Sequence, residues 1–244
     1  MYAEDTLFYA LILTVSFLYA SVGHGGASGY LAIMALFSYG TSEMRQTALI
    51  LNILVSLTAF IQFYAAGHFD FRLFLPLAAA SVPAAFAGGL ITVDTGVYNK
   101  ILGVLLLISV FRFSFARTQS PTPESESSIF FSLLIGLGIG FISGLIGIGG
   151  GVILSPILLL LNWTDMKQTA AVSSLFILVN SIAGLAGTLA GGGTIETNLI
   201  WPVTFAIAGG ILGSYLGSRK FNSGFLKKIL ALVLLIASIK LLSI

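Results

Sequence analysis

The sequence has no cysteine and few charged side chains. Charged residues make up 8% of its 244 positions, whereas about a quarter of an average soluble domain is charged. The lack of cysteine excludes a disulfide framework, thiolate metal ligands and a cysteine nucleophile. The net charge of +2 is too small to provide a basic surface for a nucleic acid. These absences argue against a soluble domain and against thiol chemistry.

Histidine is also scarce, which limits the catalytic chemistry that the chain can carry. The two histidines are His24 and His68, and neither lies in a His-Glu-x-x-His metalloprotease motif. A phosphate-binding loop of the kind that precedes Lys-Ser or Lys-Thr is also missing, so we do not expect ATP to drive this chain. We therefore expect neither an enzyme nor a bound metal or cofactor.

Apolar residues dominate the sequence instead. They account for 57% of the chain, with a mean hydropathy of +1.04. About eight apolar segments approach or exceed the roughly 20 residues that a membrane-spanning helix needs, which predicts an all-α integral protein of the cell membrane. No signal-peptide cleavage pattern follows the first segment, and we expect it to be retained. The segments are Leu7–Phe37, Ala48–Ala66, Leu73–Ile91, Ile101–Ala116, Ile129–Leu161, Ala170–Ala190, Leu199–Leu216 and Phe225–Leu242.

The first and fifth segments are too long for one straight crossing. As helices of about 1.5 Å per residue they would measure about 45 to 50 Å, against a hydrocarbon core of about 30 Å. Each carries a glycine cluster near its middle, in Gly23–Ala27 and in Gly147–Gly151. We expect both helices to break at these clusters.

The chain contains an internal repeat. Gly23-His-Gly-Gly-Ala27 matches Gly147-Ile-Gly-Gly-Gly151, and Met44-Arg-Gln-Thr-Ala48 matches Met166-Lys-Gln-Thr-Ala170. The second pair contains polar residues, so it does not reflect apolar composition alone. A polar, proline-bearing stretch separates the copies. We expect a first transmembrane repeat at residues 1–116, a linker at 117–128 and a second repeat at 129–244.

The distribution of Lys and Arg distinguishes two orientations of the repeats only weakly. If all eight segments cross the membrane, the repeats are parallel, with seven basic residues on one side and four on the other. If the two broken segments are re-entrant hairpins, the repeats are inverted, with eight against three. The larger imbalance favours inverted repeats with the linker in the cytoplasm.

Glycine-rich breaks inside a membrane segment predict an anion site. A break leaves N–H groups without partners at the start of the following half-helix, where the helix dipole is positive. Irregular backbone at this depth must be buried in protein or line a cavity. The expected site residues of the two breaks are Gly23, His24, Gly25, Gly26, Gly147, Gly149, Gly150 and Gly151. The alternative is close helix packing through small residues, which we prefer for Gly136–Gly140 and Gly209–Gly213.

Several other polar residues are candidates for the same site. Gln46, Asn52, Gln168, Ser173 and Ser174 are expected to line it, although such residues, like Asn180, also serve as hydrogen-bonding contacts between helices. Arg45 and Lys167 are candidate gates, with anchoring at the membrane boundary as the alternative. His24 can bind an anion or carry a proton, or it can be a neutral ring that shapes the loop.

Three stretches resemble the TauE/SafE family of sulfite and sulfonate exporters, within the TSUP superfamily. They are Gly144-Leu-Ile-Gly-Ile-Gly-Gly-Gly-Val-Ile-Leu-Ser-Pro156, Lys167-Gln-Thr-Ala-Ala-Val-Ser-Ser174 and Ile211-Leu-Gly-Ser-Tyr-Leu-Gly-Ser218. The first half departs from the pattern, with His24 and Ala27 where the second half has Ile148 and Gly151.

The resemblance implies a secondary transporter for a small sulfur-containing anion such as sulfite, thiosulfate or an organosulfonate like sulfoacetate. The alternatives are an anion channel and, with less support, an intramembrane enzyme. The residues leave open the direction of transport, coupling to a proton or another ion, and assembly into a homodimer.

Overall fold

The computed structural model describes residues 3–37, 39–94, 128–195 and 199–221, with scattered positions at 96–107 and 228–239. Every regular element within these residues is an α-helix. Linker residues 117–127, and most of the fourth and eighth predicted segments, lie outside the described residues. The helices are α1 (Ala3–Ala20), α2 (Ala27–Leu36), α3 (Thr41–Ala65), α4 (Phe71–Gly89), α5 (Ile129–Ile146), α6 (Gly151–Leu160), α7 (Met166–Ala190) and α8 (Ile200–Arg219).

Five of these helices, α3, α4, α5, α7 and α8, are long and apolar enough to cross a membrane. Large apolar side chains such as Ile129, Phe131 and Ile200 are exposed on the outer surface. Small polar side chains such as Ser16 and Ser81 are buried inside. This distribution suits a lipid environment, and it confirms the predicted all-helical, multi-pass membrane protein.

Both long apolar segments are broken where their glycine clusters lie. The first break separates α1 from α2, and the second separates α5 from α6. Gly26 and Gly150, which immediately precede α2 and α6, have φ values of 96° and 80°. Residues with a side chain rarely adopt this left-handed conformation, so glycine is required there. The two glycines occupy matching places in the repeat (150 − 26 = 124).

Helices α3 and α7 pack together and run antiparallel. Gln46, near the start of α3, lies beside Gly193, which follows the end of α7; a Cβ atom at Gly193 would lie 2.9 Å from Nε2 of Gln46. At the other end, Nε2 of Gln168, near the start of α7, donates to Oδ2 of Asp70, which follows α3, over 3.3 Å. Since α3 and α7 are the matching helices of the repeat, their opposite directions are those expected for inverted copies.

Two further helix pairs each join a helix of the first half to a helix of the second half. Helix α4 packs against α5, and α1 packs against α8. In each contact one helix presents glycines at every fourth position, and a Cβ atom there would overlap the backbone of the other helix. These close approaches agree with the packing interpretation of the Gly136–Gly140 and Gly209–Gly213 stretches. The contact pairs are Gly136–Leu77, Gly140–Ser81, Gly144–Ala85, Gly209–Leu13, Gly213–Phe17 and Gly217–Ser21.

Candidate functional site

The two breaks meet at the side chain of Asn52, which projects from the middle of α3 and is 1% exposed. Its Oδ1 accepts a hydrogen bond from the N–H of Ala27, the first residue of α2, over 3.2 Å. Its Nδ2 donates to the carbonyl of Ile148 over 3.4 Å and to Oγ of Ser181 over 2.9 Å. One carboxamide therefore connects the first break, the second break and α7.

Two glycines make room for this carboxamide. A Cβ atom at Gly25 would overlap Oδ1 of Asn52, and a Cβ atom at Gly149 would overlap its Nδ2. The glycines at these two positions therefore allow the backbone of both breaks to approach Asn52 from opposite sides. Packing against Asn52 therefore explains why two of the predicted site residues are glycines, whether or not they also contact a ligand.

His24 also connects the two halves of the chain. Its Nδ1 lies 2.9 Å from the carbonyl oxygen of Val22, and its Nε2 lies 3.2 Å from Oγ of Ser155 on α6. Ser155 Oγ in turn lies 2.8 Å from Oγ of Ser173 on α7. His24, Ser155 and Ser173 are each at most 1% exposed. Within the described part of the chain, no three His, Asp or Glu side chains are grouped so that they could hold a metal ion.

The N-terminus of α2 is closed by side chains of the protein. Tyr30 Oη lies 2.8 Å from Ser16 Oγ, and a Cβ atom at Gly26 would lie 2.8 Å from the Tyr30 ring. Tyr19 Oη lies 2.7 Å from Ser28 Oγ, in the first turn of α2. Asn52 accepts from the first N–H of this helix, so that group already has a partner within the chain.

The N-terminus of α6 is also packed by side chains: a Cβ atom at Gly150 would lie 2.8 Å from Ile139 and 2.9 Å from Phe176. What differs at this end is the polar neighbour from α5. Gly150 precedes the helix and no side chain caps it. Ser143, which matches Tyr19 in the repeat (143 − 19 = 124), contacts this end of the helix; a Cβ atom at Gly150 would lie 3.4 Å from its Cβ. Ser143 Oγ is buried and has no hydrogen-bond partner among the described residues. Where the first half has a large tyrosine, the second half therefore has a small, unpaired hydroxyl group.

Asn180, on the face of α7 that packs against the second break, also has an unpaired polar atom. Its Nδ2 donates to the carbonyl of Phe176, but its buried Oδ1 has no partner among the described residues. Its neighbours on the same face of α7 contact the second break or the end of α5, so Asn180 lies in the middle of that face. Those neighbours are Phe176, Ile177, Ser181 and Gly184.

The other predicted site residues lie elsewhere. Gln46 and Gln168 are at opposite ends of the α3–α7 pair, away from Asn52. Ser174 donates to the carbonyl of Ala171 within α7. The candidate gates both bind helix ends.

Arg45 donates to the carbonyls of Gly88, Gly89 and Ile91 at the end of α4, and Lys167 donates to that of Ser218 near the end of α8. Both side chains thus cap the C-terminus of the matching helix of their own half. Arg45 also donates to the carbonyl of Gly144 on α5, in the other half. Gly23 and Gly147 pack against α7 and α3, close to Ala170 and Arg45 respectively.

Sequence reasoning did not identify Ser143, Ser155 or Ser181, and it considered Asn180 among the polar residues of the apolar helices without including it in the expected site. Serines are common in apolar helices, where they usually hydrogen-bond to the backbone of their own helix. The one usable signal was the substitution within the repeat, in which Ser143 stands where the first half has Tyr19.

Comparison with known proteins identifies the family. The family model for the sulfite exporter TauE/SafE matches residues 8–241. A probable membrane transporter protein of Sinorhizobium fredii is 35% identical over 232 residues, covering 93% of this chain and 94% of that protein. A probable membrane transporter protein of Methanocaldococcus jannaschii is 24% identical over 199 residues, covering 76% and 74%. No solved structure gives a significant match. The chain, a multi-pass protein of the cell membrane, therefore belongs to the sulfite exporter TauE/SafE family of membrane transporters.

Proposed function

We propose that the protein is a secondary transporter for a small sulfur-containing anion, and that the anion binds at the N-terminus of α6. The observation that supports this site is the pair of buried, unpaired polar groups, Ser143 Oγ and Asn180 Oδ1, beside an uncapped half-helix. The family and the two relatives support transport in general, and the sulfur anion follows from the family description.

The chemistry of this helix end suits an oxyanion. The N-terminus of a helix carries about half a positive charge and directs N–H groups outward. The hydroxyl of Ser143 can donate to an anion oxygen, and Oδ1 of Asn180 can accept from a bound water or from a protonated oxygen of the ligand. Leaving each of these groups unpaired costs about 1–3 kcal/mol, which a bound ligand would relieve.

We infer that the two halves, residues 1–116 and 129–244, are inverted repeats related by an axis in the membrane plane. The antiparallel α3 and α7 support this relation, as do the exchanged α4–α5 and α1–α8 contacts. In transporters built this way, the site lies between the halves at broken helices, and access alternates between the two sides of the membrane. This arrangement favours a carrier over a channel.

Counterflow in proteoliposomes tests the function and the substrate class together. Vesicles loaded with unlabelled sulfite, thiosulfate, sulfoacetate or sulfate are diluted into a trace of the labelled anion. A carrier for sulfur anions accumulates label transiently for at least one of the first three, because inward and outward movement share one site. Label that only equilibrates would indicate a channel, and no protein-dependent flux of any of these anions would contradict the proposal.

A further inference from the structure

The hydrogen-bond chain from Val22 to Ser173 has two self-consistent arrangements of hydrogen atoms. A carbonyl oxygen only accepts, so Nδ1 of His24 carries a hydrogen in both. With a neutral ring, Nε2 accepts from Ser155, whose oxygen accepts from Ser173. With a protonated ring, Nε2 donates to Ser155, and Ser155 donates to Ser173. One added proton therefore reverses the chain without displacing a heavy atom.

We propose that His24, with Ser155 and Ser173, is the proton-accepting group that couples anion transport to proton movement. A proton from water on one side binds Nε2, accompanies the anion and returns to water on the other side. An O–H bond of a hydronium ion breaks as the Nε2–H bond forms, and the reverse exchange releases the proton to water. The added positive charge offsets one negative charge of the anion. This inference rests on the proposed function, because it supplies the coupling ion for that anion.

The position of His24 supports this role. A Cβ atom at Gly151 would lie 3.5 Å from Cδ2 of His24, so the ring borders the first turn of α6, where the anion is proposed to bind. Attraction between a protonated ring and an anion at this depth is weakly screened by water. Binding of one therefore favours binding of the other.

The described side chains that surround His24 are uncharged, so the ring itself is the group that can take up the proton. From α1, Tyr19 faces it edge-on, with ring centroids 6.4 Å apart, and its hydroxyl group is bonded to Ser28. The hydroxyl group of Ser155 on α6 bonds to the ring, and that of Ser173 on α7 bonds to Ser155. Among the described residues, these contacts include no acid and no second base, so the imidazole is the group placed to take up the proton.

Proton-driven uptake provides the first test. Proteoliposomes at zero membrane potential receive a pH gradient, labelled thiosulfate and an internal pH-sensitive dye; thiosulfate does not itself take up protons near neutral pH. For one proton per anion, one pH unit is expected to drive about tenfold accumulation. We expect His24→Gln to lose accumulation and the dye response, and any counterflow that it keeps to be independent of the pH gradient. His68→Gln, in the α3–α4 connection, should behave as wild type.

The outcomes separate this inference from the proposed function. Proton movement in His24→Gln equal to that in the wild type overturns the inference. Absence of counterflow of sulfite, thiosulfate and sulfoacetate in the wild type contradicts the proposed function instead. If His24→Gln does not fold, Ser155→Ala serves in its place, with the same expected loss of proton-driven accumulation.

Nitrogen NMR of histidine-labelled protein gives a readout that requires no transport. The chain has two histidines, and His68→Gln assigns the remaining signal to His24. We expect the Nδ1–H tautomer at high pH and a second proton on Nε2 as the pH falls. Ser155→Ala should move the midpoint of this change, and Ser155→Thr should restore it. A His24 signal that never gains the second proton before the protein unfolds overturns the inference.

Discussion

Some polar side chains inside this protein connect its helices through hydrogen bonds, and others have a buried atom without a partner among the described residues. The carboxamide of Asn52 belongs to the first group, since its oxygen and nitrogen bond to α2, to the second break and to α7. Asn180 belongs to the second, since its Oδ1 is buried without a partner among the described residues. Two asparagines in equally apolar helices thus have opposite roles.

Replacement of each asparagine with leucine, which has a similar size, should separate these roles. Asn52→Leu leaves the N–H of Ala27 and the hydroxyl of Ser181 unpaired, and we expect it to lower stability by about 1–3 kcal/mol. Asn180→Leu removes an oxygen that has no partner and one hydrogen bond within its own helix, to the carbonyl of Phe176, so we expect a smaller loss of at most about 1 kcal/mol. Thermal unfolding in detergent measures both. Equal loss of stability in the two variants would contradict the assigned roles.

The sequence indicated Asn52 as a residue lining the site, because a carboxamide in an apolar helix needs partners inside the protein. In the structure its hydrogen-bond partners are groups of the chain itself. It did not reveal Ser143, because an unpaired hydroxyl group cannot be distinguished from one bonded to its own helix until the neighbours are known. Whether a polar atom has a partner depends on three-dimensional packing, which local sequence does not determine.

Among the helical elements, glycines serve two structural purposes. Those of the breaks adopt left-handed φ values or make room for Asn52. Those of α5 and α8 instead let neighbouring backbones approach closely. The breaks were predictable because both apolar segments exceed the membrane thickness and carry clustered glycines, each of which weakens a helix.

Two glycines of α5 provide a matched test of close packing. A Cβ atom at Gly140 would overlap the carbonyl of Ser81 on α4, whereas one at Gly138 would meet nothing within 4 Å. We expect Gly140→Ala to destabilise the protein by about 1–3 kcal/mol through overpacking. Gly138→Ala should be neutral or stabilising by up to about 1 kcal/mol, because alanine favours the helix. Unfolding midpoints that shift in the same direction would contradict this packing.

For the molecule as a whole, the proposed inverted relation of the repeats would explain an expectation that does not fit the geometry. Gln46 and Gln168 hold matching repeat positions, which suggested that both line one cavity. A two-fold axis in the membrane plane sends matching residues to opposite ends unless they lie near the axis. Only the breaks and the middle of α3 and α7 lie near it, so repetition alone could not predict which residues converge.

The proposed inverted relation predicts from which side of the membrane matching positions are accessible. Glu43 at the start of α3 and Asp165 before α7 are both exposed and hold matching places in the repeat (165 − 43 = 122). In this cysteine-free chain, Glu43→Cys and Asp165→Cys should react with a membrane-impermeant thiol reagent from opposite sides of the membrane. Labelling of both from the same side would require parallel repeats.

Binding of sulfite to two serine variants of α5 tests the proposed anion site most directly. Ser143 and Ser132 are both fully buried and unpaired among the described residues, but only Ser143 contacts the N-terminus of α6. By isothermal titration of the purified protein, we expect Ser143→Ala to weaken sulfite binding about tenfold or more, as for the loss of one hydrogen bond to a charged ligand. Ser132→Ala should bind as the wild type does. Unchanged affinity in Ser143→Ala, with wild-type binding intact, would show that the anion does not bind at this helix end.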